Sequence, residues 1–180
     1  MVYVHFAGGF EEIEAVAVVD VLRRGGVETK SVSMTGDKCV CGSHGISVCT
    51  DLLFEEADYS GCEMIVLPGG MPGAANLMEH SGLAKEIISF AAGKKYLAAV
   101  CAAPMVFGKL GILKGKKATI YPGMEDKLEG AELRKDRVVI DGNIITSRGP
   151  GTAIEFALTL VAILKNKEEA SELGKRMIVD

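Results

Sequence analysis

The sequence predicts an α/β protein, a doubly wound, mostly parallel sheet sandwiched by helices. Three observations lead there. The chain opens as strand, glycine turn, helix and strand over residues 2–34, a βαβ unit. Two later stretches, 62–67 and 96–100, read as strands, and the second is an apolar run short enough to be buried on both faces, as inside parallel sheets. The second run stops at Cys101 and turns into a new segment at 105–110, which is the pattern of a nucleophile elbow.

Taken in order, residues 2–7 read as the first strand, ended by Gly8-Gly9. Residues 11–24 read as a helix with acids in its first turn, Arg23 and Arg24 in its last and Gly25-Gly26 as its stop. A strand follows at 29–34. His5, inside the first strand, reads as a satisfied core histidine. Residues 35–51 are less regular, with Val40 and 46–48 able to pair as a short hairpin. Cys39, Cys41, His44 and Cys49 lie in that stretch, but Cys39-x-Cys41 is too tight for a zinc knuckle, so no metal site is expected. The strand at 62–67 ends in Pro68-Gly69-Gly70-Met71-Pro72-Gly73. This turn lacks both the P-loop Lys-Ser/Thr and the dinucleotide G-x-G-x-x-G. Its backbone amides suit a developing oxyanion, and a plain tight turn fits the same residues. Helical patterns occupy 74–78 and 83–92. A strand is expected at 118–120, and Asp141-Gly142-Asn143 marks a hairpin between 138–140 and 144–146. Thr152 with Glu155 reads as a capping box opening a helix to about 165, and a short amphipathic helix covers 168–177.

The 180 residues are expected to form a single domain spanning 1–180, and 48% apolar with 24% charged residues is ordinary for a globular protein. Net charge is −4 with scattered Lys and Arg and no Trp, which argues against nucleic acid as a partner. No apolar run approaches the ~18 residues of a membrane span, and the N-terminus lacks the basic and cleavage regions of a signal peptide. Five cysteines, an odd count, are expected to be reduced thiols in a cytoplasmic protein.

In doubly wound sheets ligands bind outside the carboxyl ends of the strands. Gly8-Gly9 with its acids, the 68–73 turn and the Cys101 elbow would meet in that crevice. A helix starting after Cys101 would point its positive end at the sulfur and lower the thiol pKa. None of His5, His44 or His80 stands in a turn after a strand at that rim, which counts against a Cys–His hydrolase. The acids are the alternative partners. Glu14 lies on the stripe Ala17, Val18, Val21, where desolvation would raise its pKa. Glu11 heads the stripe Ala15, Val18, Leu22, so spacing does not choose between them. For Glu11 and Glu12 the preferred reading is helix-start acids complementing the dipole.

Four blocks carry a resemblance over nearly the whole chain: 11–15 (EEIEA), 66–70 (VLPGG), 98–104 (AAVCAAP) and 147–152 (SRGPGT). Their order and separation are similar to those of the DJ-1/ThiJ/PfpI superfamily, closest to its DJ-1/ThiJ-like branch. The resemblance implies a flavodoxin-like sandwich, usually a homodimer, without metal or organic cofactor. It implies Cys101 as the elbow nucleophile and Glu14 as the protonated acid bonded to it. The amides of Gly70 and Ala102 would be the oxyanion donors, with Gly69 and Tyr121 beside the substrate. The activity implied is a glutathione-independent glyoxalase, acting on the 2-oxoaldehydes methylglyoxal or glyoxal and on early glycation adducts, in carbonyl or oxidative stress. A redox-sensing cysteine protein or chaperone, or a thiamine-pathway role, are the alternatives. The chain departs from the pattern at Tyr121, where a histidine is frequent, and at His44, where an arginine often follows the serine. Ala102 stands where the protease-like branch has histidine.

Overall fold

Val2–Phe6 (β1) is buried along its whole length, flanked on both sides by parallel strands. The chain continues through Glu12–Arg24 (α1), Thr29–Ser33 (β2), a hairpin of Cys39–Cys41 (β3) and Ser47–Cys49 (β4), and Leu52–Leu53 (β5). Met64–Leu67 (β6), Gly73–Glu79 (α2), Ser81–Ala92 (α3), Tyr96–Val100 (β7) and Pro104–Lys109 (α4) follow. Lys117–Ala118 (β8) and Glu132–Leu133 (β9) form a two-stranded accessory sheet. Val138–Asp141 (β10), Ile144–Ser147 (β11), Ala153–Leu164 (α5) and Lys167–Arg176 (α6) complete a computed structural model that describes residues 1–179.

The main sheet runs β10-β11-β7-β6-β1-β2-β5, parallel throughout except for β10 against β11. The chain leaves β1 in one direction to β2 and later returns on its other side through β6 to β7. The carboxyl ends of β1 and β6 therefore flank the topological switch point, where doubly wound sheets bind ligands. Helix α1 packs on α5 and α5 on α6, while α2 packs against α3 and α4. Burial explains the helix register. Glu14, Ala15, Val18, Val21 and Leu22 of α1 face inward, whereas Ile13 and Val16 are exposed. Each larger apolar side chain on that stripe contributes about 1.5–3 kcal/mol by leaving water.

Both sheet edges are short or tied. β5 has two residues. At the other edge Asp141 accepts the Lys117 amide at 2.8 Å and pairs with Lys116 at 3.4 Å, so the accessory strand packs beside β10. The strand expected at 118–120 is reduced to β8, because the Thr119 amide is taken by the Thr146 hydroxyl at 3.0 Å instead of a neighbouring strand. The expected capping box at Thr152 does not form. The Thr152 hydroxyl turns back to Ser147 (2.7 Å) and to both backbone groups of Gly149, while Glu155 pairs with Arg137 at 2.5 Å. No helix of the described residues is long and apolar enough to cross a membrane.

His5 is a satisfied core residue. Nδ1 lies 3.3 Å from the Val66 carbonyl, which can only accept, so Nδ1 carries the hydrogen and Nε2 accepts from Tyr59 Oη at 2.8 Å. Burial lowers its pKa to about 4. The unfolded histidine binds its proton near 6.5, so this stabilisation is complete above that pH and is lost as pH falls through about 4. The shift corresponds to about 3 kcal/mol. Urea unfolding at pH 7 and at pH 4.5 should show a loss of that order, and His5→Gln should flatten the difference. An equally steep loss in the variant would place the acid sensitivity elsewhere.

Candidate active site

Strand β7 delivers Cys101 into a left-handed backbone conformation, φ 62°. A non-glycine residue there costs on the order of 1–3 kcal/mol and persists only where its surroundings impose it. Here they do: the Cys101 amide donates to the Ser147 carbonyl at 3.0 Å, and its own carbonyl accepts the Tyr121 amide at 2.9 Å. Ala102 and Ala103 are buried, and Pro104 starts α4. Small neighbours and a strand-to-helix turn with positive φ make this a nucleophile elbow.

Two other segments close on the same point. Gly69 lies so near that a Cβ there would sit 2.5 Å from Cys101 Cβ and 2.8 Å from Glu14 Oε2, so no side chain fits. The Gly69 amide donates to Glu14 Oε2 at 2.8 Å, and the Gly69 carbonyl accepts the Glu11 amide at 2.9 Å. Gly70 takes φ 88°, and its amide and that of Ala102 favour the charged form of the Cys101 sulfur. Helix α1 supplies Glu14 from its first turn, where the Glu11 carboxylate caps the helix by accepting the Glu14 amide at 2.7 Å.

Glu14 is fully buried, and burial pushes its carboxyl up to about 7, against the opposing bonds from Gly69 and Cys101. Burial, then the charge and hydrogen bond of Glu14, push the Cys101 thiol up to about 12, against the Gly70 and Ala102 amides. This reverses the acidic thiol expected from a helix dipole. Helix α4 has only six residues and starts three positions after the sulfur, whereas a buried carboxyl is in contact with it. The two groups titrate as one unit. Between those values the pair holds one proton and one negative charge. Glu14 Oε1 is buried without a hydrogen-bond partner.

Above the pair opens a cleft of about 650 Å³ lined by Gly70, Met71, Tyr121, Ile13, Ile46 and His44, among others. Glu12 anchors one wall. Its Oε1 accepts the His44 amide at 2.7 Å and its Oε2 accepts from His44 Nδ1 at 2.8 Å, with Ser43 Oγ at 3.3 Å. Burial raises the Glu12 carboxyl, but the His44 ring and amide outweigh it and bring it down to about 2. The His44 ring is raised in turn by its bond to Glu12. Glu11, Glu12 and His44 bring ligand atoms within 4.8 Å of one another, yet the Glu12 oxygens and one of Glu11 are already committed to N–H donors, and no metal is assigned.

Cys101, Glu14, Gly69, Gly70 and Ala102 therefore come together as expected, with Tyr121 on the rim. Gly69 has a different task from the expected one, because its amide holds Glu14 instead of facing the cleft. Glu12 is more than a helix-start acid, and a histidine does reach the cleft, through the hairpin and not through a strand-end turn. Cys39, Cys41 and Cys49 do not gather around His44.

Proton exchange at His44 is directly observable. Its ring should titrate above 6.5 by NMR and fall back toward that value in Glu12→Gln. The pair adds stability below the unfolded histidine pKa, and that stability is lost as pH rises through the higher folded value. Unchanged titration in the variant would remove the Glu12 contact as its cause.

A family model for the DJ-1/PfpI family matches residues 1–163. Protein DJ-1 homolog B of Arabidopsis thaliana is 39% identical over 179 residues, 99% of this chain, and the chain spans 41% of that protein's length. The glutathione-independent glyoxalase DJR-1.2 of Caenorhabditis elegans is 32% identical over 167 residues, covering 92% of this chain and 88% of that one. Among solved structures, oxidized Toxoplasma gondii DJ-1 superposes with a TM-score of 0.94 at 37% identity, covering 98% of this chain and 97% of the other. Fold, elbow and sequence agree, and the chain belongs to the DJ-1/PfpI family.

Proposed function

We propose that the chain is a cysteine-dependent, cofactor-independent glyoxalase that converts small 2-oxoaldehydes such as methylglyoxal or glyoxal to 2-hydroxy acids, and that acts on their early glycation adducts. The observation that carries this is the Cys101–Glu14 pair, one proton and one charge shared beneath an open cleft. The C. elegans relative named as a glutathione-independent glyoxalase supports the same class.

The Cys101 thiolate adds to the aldehyde carbon, and the resulting hemithioacetal oxygen lies near the Gly70 and Ala102 amides. Glu14, once its proton has passed to that oxygen, removes the hydrogen on the former aldehyde carbon. The electron pair moves to the neighbouring carbonyl, giving an enediol. Glu14 returns the proton to the second carbon while the proton on the first oxygen passes to the second, leaving a thioester of the 2-hydroxy acid, and water releases the acid and restores the thiol. No oxidant is consumed, since one carbon is oxidised as its neighbour is reduced. The same nucleophile can serve a redox-sensing role, a reading favoured by the oxidized Toxoplasma relative; sustained turnover separates the two. Ile13, Val16 and Ile46 form an exposed apolar face that suits a homodimer, for which light scattering should give about twice 19.0 kDa; a single-chain mass would remove that assembly. Free thiols throughout fit a cytoplasmic setting.

Glu14→Gln keeps the shape and the Gly69 contact but removes the shuttled proton. Lactate formation from methylglyoxal should fall on the order of 10²–10⁴-fold. Cys101 should still alkylate at least as fast, because the negative charge that raises its pKa is gone. In the parent, kcat/KM should rise as pH passes about 7, where the pair loses its first proton. Near-normal turnover in Glu14→Gln, or turnover retained in Cys101→Ala, would overturn the mechanism.

A further inference from the structure

Two cysteines outside the cleft face each other across the β3–β4 hairpin. The register sets Cys39 opposite Cys49, Val40 opposite Val48 and Cys41 opposite Ser47. The ladder is bounded by the Thr50 amide on the Lys38 carbonyl at 2.7 Å and the Gly42 amide on the Ile46 carbonyl at 2.9 Å. Hydrogen-bonded pairs recur at every second residue, so 38/50, 40/48 and 42/46 are the bonded pairs and 39/49 is a non-bonded pair. In non-bonded antiparallel pairs Cα atoms lie about 4.5 Å apart and side chains are closest, inside the range a disulfide spans.

Both thiols point outward, away from Val40 on the buried side. Cys41 shares their face but is diagonal to Cys49, a separation of about 7–8 Å that a direct bridge does not reach. Cys62 is buried with its thiol on the Met64 carbonyl at 3.2 Å, and Cys101 is committed to Glu14. From this pairing we infer that Cys39 and Cys49 form a reversible cross-strand disulfide, a redox-modification site distinct from Cys101.

The oxidant is a low-molecular-weight disulfide. The thiolate of one cysteine attacks a sulfur of that disulfide, forming a mixed disulfide and expelling one small thiolate. The opposite cysteine's thiolate then attacks the protein sulfur and expels the second. Two protein thiols are oxidised, one small disulfide is reduced to two thiols, and both protons go to solvent or to the leaving thiolates. Both cysteines are exposed, and an exposed bridge is easily reduced again. The bridge would also close the open end of a hairpin whose turn leans on the cleft. There the Cys41 carbonyl accepts the Gly9 amide and the Ser43 amide donates to Phe10, each at 2.8 Å, and His44 sits on Glu12.

The test equilibrates the full chain in glutathione/glutathione disulfide buffers, quenches with acid, alkylates under denaturing conditions and weighs the intact protein. The expected product has lost two hydrogens and alkylates at three of its five cysteines, with all five restored by reduction. Thermolysin, which cuts before Ile46, should yield a fragment pair joined through Cys39 and Cys49. Cys41→Ser should oxidise like the parent, whereas Cys39→Ser and Cys49→Ser should each fail to lose the two hydrogens. Glutathione adducts alone, chains cross-linked to one another, no reaction, or loss of the bridge in Cys41→Ser would each overturn the assignment.

Discussion

Three chain segments, residues 14, 69 and 101, must come within contact distance at the carboxyl end of the sheet, and the absence of a side chain at Gly69 is what lets them. With a Cβ there, Cys101 and Glu14 could not both keep their places. The rest of the structure is arranged to hold that approach. β6 and β7 are adjacent and parallel, so the turns leaving them begin side by side. Strand β11, on the far side of β7, supplies the Ser147 carbonyl that fixes the elbow amide. Helix α1 is the element after β1, which places Glu14 above the β6 turn.

Burying a carboxyl carries a desolvation penalty unless its oxygens find donors or its charge is removed. Gly69 serves one Glu14 oxygen, and the other is buried without a hydrogen-bond partner. A second negative charge in that space is unfavourable, so the centre settles at one. The chemistry available to Cys101 is therefore set by its neighbour's burial more than by the short helix that follows it. Glu12, only two residues earlier, has the opposite fate. It opens the helix and meets several N–H donors from the hairpin, and it stays ionised.

Cys101 was legible in the sequence because a buried strand's length, a cysteine and three small residues coincide there. The glycine turn was legible for the same local reason. Choosing Glu14 over Glu11 was not possible from periodicity, since both head apolar stripes; Glu11 lies just outside the helix, as its cap, and so leaves the stripe. The Glu12–His44 contact spans 32 residues and depends on the hairpin folding over the start of α1, which no local pattern encodes. At Thr152 the local pattern misled, because Ser147 and Gly149 offer the hydroxyl nearer partners and Arg137 draws Glu155 away.

The tied edges of the sheet bear on how copies of this chain can meet. A long, open edge strand templates another molecule's backbone, and such pairing continues indefinitely. Here one edge is two residues long and the other is occupied by Asp141 and its lysine-bearing neighbour. Backbone pairing at either edge of the main sheet is thereby limited to a few residues. The few residues that end the main sheet are thus the ones that deny another backbone a long template there.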